Sequence, residues 1–127
     1  MDKNVKPELE QWISSMAKEN EIPEEIEGLY FGMYEDADGG FCVYLSGAEE
    51  YDEADSDWAC DMDYEPEDNA IVFSGEEWSP DDWEEFQTKV AEALKEILAS
   101  NDETIGNFIG DRHVSTGFDD GDLINLR

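Results

Sequence analysis

Between Lys18 and Lys89 the chain carries no basic residue, yet 25 of its 36 acidic residues fall there. No other feature limits the fold so tightly. A segment without an internal cation cannot pair its carboxylates, so each must stay in water or meet positive charge from elsewhere. Only uncharged side chains remain to build the interior. The chain supplies them, with four Trp, six Phe and five Tyr in 127 residues. That is enough to offset conformational entropy in one domain spanning residues 1–127, so disorder is not the expectation.

Periodicity shows where those side chains go. Leu9, Trp12, Ile13, Met16 and Ala17 follow the spacing of an amphipathic helix over residues 7–20, with Pro7 in its first turn and Pro23 blocking continuation. Leu29 to Glu35 and Phe41 to Ser46 are β-rich runs joined by "DADGG", whose glycines can take the positive φ of a tight hairpin. Phe31 and Met33 should share a face with Phe41, Val43 and Leu45, while Tyr30, Tyr34, Cys42 and Tyr44 fall on the other, so this hairpin should be central and covered on both sides.

In "DSDWACDMDYEPED" the period is again two. Trp58, Cys60, Met62 and Tyr64 alternate with Ala59, Asp61, Asp63 and Glu65, a strand with one dry and one wet face that Pro66 ends. "AIVF" at 70–73 gives a further short strand, so the sheet occupies about residues 29–74. A second helix spans residues 80–99, with Ser79 as N-cap, Pro80 at the first position, and Trp83, Phe86, Val90, Leu94 and Ile97 as its buried stripe. "TIGNFIG" is too short and glycine-rich to assign. A hairpin with Asp120-Gly121 in its turn closes the chain over residues 113–126. The expected class is α+β, an antiparallel or mixed sheet of five to six strands with two helices packed against it.

Catalytic signatures are missing. A Ser or Cys nucleophile needs a neighbouring base, and the one histidine is His113; Cys42 or Cys60 with His113 is the sole enzymatic arrangement to weigh. Among 36 acids some carboxylate pair always has glycosidase spacing, so such pairs carry no information. There is no phosphate-binding glycine loop. A calcium loop starting at Asp36 fails, because its fifth, sixth and twelfth positions are Gly40, Phe41 and Gly47. Cys42 and Cys60 lack metal-ligand spacing and read as small buried hydrophobes, with a disulfide open if their strands are neighbours. No cofactor, no metal and no enzymatic activity are expected.

A net charge of -29 repels nucleic acid and anionic membranes and draws in basic proteins. No apolar run approaches the ~20 residues of a membrane span, and a cytoplasmic location is expected. From Glu49 to Asp68 there are 11 carboxylates in 20 residues. On a strand, alternate side chains stand ~6.6 Å apart, so Asp61, Asp63 and Glu65 would form a row of anions at phosphate-like spacing. The candidate partner-binding residues are Glu49, Glu50, Tyr51, Asp52, Glu53, Asp55, Asp57, Asp61, Asp63 and Glu65. Tyr51 is the candidate aromatic anchor; Trp58 is a second, although its strand position turns it toward the core.

The segments "VYLSGAEEYDEADSDWACDMDYEP", "DDWEEFQTKVAEALKEIL" and "GFDDGDLINL" give the span from Leu29 to Leu126 a resemblance to small bacterial immunity proteins of polymorphic or contact-dependent toxin systems. That resemblance implies non-enzymatic neutralisation of a cognate toxin, of nuclease type if the acid fills a nucleic-acid cleft. It transfers no individual site residue. Two other roles suit the same acid: a DNA mimic filling the groove of a DNA-handling protein, and a salt-adapted acidic surface. The last fits poorly with a base-free middle flanked by helices and termini that keep Lys3, Lys6, Lys18, Lys89, Lys95, Arg112 and Arg127.

Overall fold

A computed structural model describes residues 5–37, 39–51, 63–66, 69–74, 78, 80–100, 103–110, 112–118 and 123–126. Helix α1 (Lys6–Glu19) has Pro7 in its first turn and buries Leu9, Trp12, Ile13 and Met16. Its end is closed by Asn20, whose backbone N–H and side-chain amide both donate to the Met16 carbonyl, at 2.8 and 3.2 Å. Strands β1 (Gly28–Glu35) and β2 (Gly40–Ala48) form the expected hairpin, with Phe31 opposite Leu45 and Met33 opposite Val43. Gly39 and Gly40, at φ 92° and 80°, make the turn that residues with a Cβ adopt only under strain.

Strand β3 (Ala70–Ser74) pairs antiparallel with β2 on one side of the hairpin. Strand β4 (His113–Phe118) pairs parallel with β1 on the other, and β5 (Ile124–Asn125) closes that side antiparallel to β4. The sheet is therefore mixed, in the order β3-β2-β1-β4-β5. The hairpin lies at its centre, and every residue of β2 is buried.

A 3-10 turn (Pro80–Asp82) leads into helix α2 (Trp83–Ala99), so the α-helix proper starts three residues after Pro80, with Asp82 rather than Ser79 at its N-cap position. Phe86, Val90, Leu94 and Ile97 form its buried stripe as expected. Trp83 does not belong to it. The tryptophan, the first residue of the helix, is 47% exposed, and its ring rests edge-on against Phe118 with centroids 6.0 Å apart.

Two helices were expected, and the described residues form three. Helix α3 (Glu103–Ile109) occupies most of the unassigned "TIGNFIG" and buries Ile105, Phe108 and Ile109. Gly106 does not prevent it, because this glycine faces open space on the outer side. Packing against α1 supplies what the weak propensity of a short glycine-containing segment lacks.

All three helices pack on one face of the sheet. Leu29, Phe31, Met33, Phe41, Val43, Leu45, Phe73 and Val114 join their buried residues in one apolar cluster. Phe86 anchors it, stacked on Phe41 at 4.6 Å and edge-on to Phe73 and Trp78 at 5.3 and 5.0 Å. Fully burying such a side chain contributes about 1.5–3 kcal/mol. The opposite face carries Tyr30, Tyr44 and Ala48, with Tyr51 and Leu123 packed on them. No helix of the described residues is long and apolar enough to cross a membrane.

Candidate partner-binding surface

The described carboxylates are spread over the helices and both ends of the sheet, and those expected from sequence to meet a partner lie together at one end. β2 stops at Ala48, and the chain leaves through Glu49, Glu50 and Tyr51. It returns at Asp63–Tyr64, where Tyr64 exchanges backbone hydrogen bonds with Gly47 at 2.8 and 3.0 Å. This bridge turns Tyr64 into the helix-covered core and leaves Asp63 and Glu65 exposed, the alternation expected for the end of that strand. The rest of the expected strand, including Trp58, Cys60 and Asp61, lies outside the described residues. So do Asp52, Glu53, Asp55 and Asp57.

Asp63 ties the two passes together. Its Oδ2 accepts a hydrogen bond from the Glu49 backbone N–H at 2.9 Å, which fixes the exit of β2 against the returning chain. Glu49, Glu50, Asp63 and Glu65 are all exposed there. Glu27 belongs to the same end, since its N–H donates to the Ala48 carbonyl at 2.9 Å and its carbonyl accepts from the His113 N–H at 3.0 Å. Sequence spacing holds no sign of Glu27, because β4 is brought beside β1 only by the parallel pairing.

Tyr51 is half-buried. Its ring stacks on His113 with centroids 3.8 Å apart and planes 7° apart, and it also packs on the cluster around Tyr30 and Tyr44. One flank of that cluster is set by Gly32, directly opposite Tyr44, where an added Cβ would sit 2.3 Å from the tyrosine ring. The Tyr30 hydroxyl donates to the Gly117 carbonyl at 3.0 Å.

The described lysines sit on the helices, and Arg112 borders this end beside Glu27 and His113. Lys6 and Lys18 are on α1, and Lys89 and Lys95 on α2, over the other face of the sheet. Lys6 pairs with Glu96 at 3.9 Å, both side chains well exposed. Arg112 is spent largely on backbone. Its Nε donates to the Ile26 carbonyl at 2.8 Å, its Nη1 to Ile109 at 3.0 Å, and its Nη2 to Ile22 and Pro23 at 3.2 and 2.9 Å. It thereby locks the loop before β1 to the end of α3. Burial raises the Tyr64 hydroxyl pKa above its usual value, against a smaller opposing pull from the Arg112 charge.

Of the two thiols weighed with His113 from sequence, Cys60 lies outside the described residues and Cys42 does not reach the histidine. His113 is exposed and lines a cavity of about 350 Å³ with Glu24, Ile26, Glu27 and Arg112. Cys42 is a buried free thiol that pairs across from Tyr34, whereas His113 pairs with Gly28 at the other end of β1. Six residues of strand separate the two levels, ~20 Å at 3.3 Å per residue, far beyond hydrogen-bond reach. The disulfide left open from sequence involves Cys60, which lies outside the described residues. Among the described residues, no three His, Cys, Asp or Glu side chains cluster as metal ligands.

Comparison with protein-family models, with curated proteins and with solved structures gave no match.

Proposed function

We propose that this chain is a non-enzymatic acidic inhibitor that binds and blocks a basic protein, in the manner of a cytoplasmic immunity protein neutralising a cognate nuclease-type toxin. One observation carries the proposal. Glu49, Glu50, Asp63 and Glu65 are exposed together on a hydrogen-bonded end of the sheet, while the described lysines lie on the helices over its opposite face. Crowding like charges on a rigid frame raises the free energy of the isolated protein, and a cationic partner relieves it. A nuclease cleft, built to hold phosphates, presents the complementary field.

The test is direct. The chain should inhibit a cationic nuclease domain in a one-to-one titration at low ionic strength, with Glu49→Gln/Glu50→Gln/Glu65→Gln weakening the inhibition. Duplex DNA serves as the competitor in a parallel assay. Displacement from several unrelated DNA-handling proteins would indicate a mimic instead, and absence of binding to any basic protein would refute both.

A further inference from the structure

Among the described residues, the two edges of the sheet are built differently. β5 is two residues long, too short to template another strand, whereas β3 offers five residues, Ala70–Ser74, at the opposite edge. Edges are commonly guarded by lysine, proline or a covering element. β3 contains neither lysine nor proline, and no charged residue at all.

The phase of its hydrogen bonds can be fixed. Tyr44 is opposite Ala70, and the Leu45 N–H donates to the Asn69 carbonyl at 2.9 Å, so Asn69 bonds inward to β2. Antiparallel ladders alternate, which turns Ile71 and Phe73 inward and aims the N–H and C=O groups of Ala70, Val72 and Ser74 away from the sheet. Among the described residues, β3 makes no hydrogen bond on that outer side. Val72 is also 56% exposed, the most open of the large apolar side chains described.

We infer that β3 is a docking edge that takes an extended, lysine- or arginine-bearing segment of the cationic partner as a sixth strand. A second copy of this chain would satisfy the same backbone groups, but it would bring a second charge of -29 to an edge whose flanking sequence is Glu65, Glu67 and Asp68 on one side and Glu76 and Glu77 on the other. Charge selects the cationic strand. Main-chain bonds then give affinity and alternate side chains give register, as in other strand-addition complexes. The inference rests on the chain being an acidic inhibitor, and it adds where and how the partner is held.

The probe is a capped peptide of about six residues alternating Lys and Val, the usual strand length. Its control keeps the lysines and replaces each Val by Pro, matching the charge while abolishing strand pairing. At low ionic strength the first peptide should slow amide hydrogen exchange at Ala70, Val72 and Ser74 and bind about tenfold more tightly than the control, the worth of one or two backbone hydrogen bonds. Val72→Pro, which removes an outward N–H, should erase that preference. If the proline variant fails to fold, N-methylating alternate amides of the lysine–valine peptide removes the donors from the other side of the ladder and should erase the same preference. Equal affinity for both peptides with unchanged exchange at β3 would overturn the docking edge and leave the acidic inhibitor standing. Absence of binding by either peptide would overturn both.

Discussion

The ring of Tyr51 lies flat on the imidazole of His113, with centroids 3.8 Å apart and planes 7° apart. This stack joins the exit of β2 to the start of β4, two points 62 positions apart in the sequence (113 − 51). It holds the first residues of the acidic segment against the sheet. Aromatic pairs of this kind contribute about 0.5–1.5 kcal/mol beyond their buried area. Tyr51→Ala and His113→Ala should therefore show a coupling of that size in a double-mutant cycle measured by urea unfolding. Strictly additive losses would mean that the two rings are merely adjacent.

How far such contacts are legible in the sequence depends on their range. The β1–β2 hairpin and its facing residues were readable, because a period of two on both sides of "DADGG" leaves one register that puts Phe31, Met33, Phe41, Val43 and Leu45 on the same side. The stripe of α2 was readable from Phe86 onward for the same local reason. Trp83 continued the spacing, but spacing cannot tell that the first residue of the helix is left half open to solvent. α3 was hidden because packing, not propensity, forms it. The parallel pairing of β4 with β1 has no local signature, and with it went Glu27 and the Tyr51–His113 stack. At the candidate surface, alternation correctly gave Tyr64 inward and Asp63 and Glu65 outward. It gave no hint that Asp63 also anchors the Glu49 amide.

Gly32 should not tolerate a methyl group. It sits within a central strand with Tyr44 lying across it, and a Cβ there would come within 2.3–2.5 Å of three atoms of the ring. In Gly32→Ala the ring must swing away from Tyr30 and Tyr34, its neighbours at 5.9 and 6.0 Å. Overpacking of this kind costs about 1–3 kcal/mol. The melting temperature should fall accordingly, and Gly32→Ala combined with Tyr44→Ala should recover part of the loss. A neutral Gly32→Ala would show that the tyrosine is free to move.

Arg112 should resist replacement by lysine. Its fork spans four carbonyls on two separate segments, Ile22, Pro23 and Ile26 before β1 and Ile109 at the end of α3. An ammonium keeps the charge but cannot reach all four from one point. Hydrogen bonds from a charged donor contribute about 1.5–3 kcal/mol each where the acceptor is otherwise left unpaired, so Arg112→Lys should lose at least one such increment. Thermal unfolding should register this as a drop of several degrees, with α3 amides exchanging faster. An unchanged exchange pattern in α3 would show that the clamp is incidental.

Tyr64 makes the fold sensitive to alkali. Burial raises its pKa in the folded state above the unfolded value of about 10, so near that pH the folded chain holds the phenolic proton more tightly. The unfolded state then binds fewer protons, and stability decreases as pH rises. The contribution is complete below the unfolded pKa and is lost as pH climbs through the folded one. Tyr64→Phe should flatten the decline of the unfolding midpoint above about pH 9 while changing little at neutrality. A parallel decline in both proteins would assign the alkaline loss to other groups.

The exposed carboxylates should trade stability against association. Glu49, Glu50 and Glu65 face water beside Asp63, and the described lysines lie on the helices over the other face. Repulsion among them opposes folding at low ionic strength and fades where the Debye length shrinks to about 3 Å, near 1 M salt. Glu49→Gln/Glu50→Gln/Glu65→Gln should therefore raise the melting temperature in dilute buffer, with the gain disappearing at high salt. The same variant should associate several-fold more slowly with the lysine–valine peptide, because steering acts on encounter. Stopped-flow tryptophan fluorescence measures that rate beside calorimetric melting of the same samples. Stabilisation with an unchanged association rate would assign these residues to solubility alone, since a surface shaped for a cationic partner cannot lose its charge and keep its encounter rate.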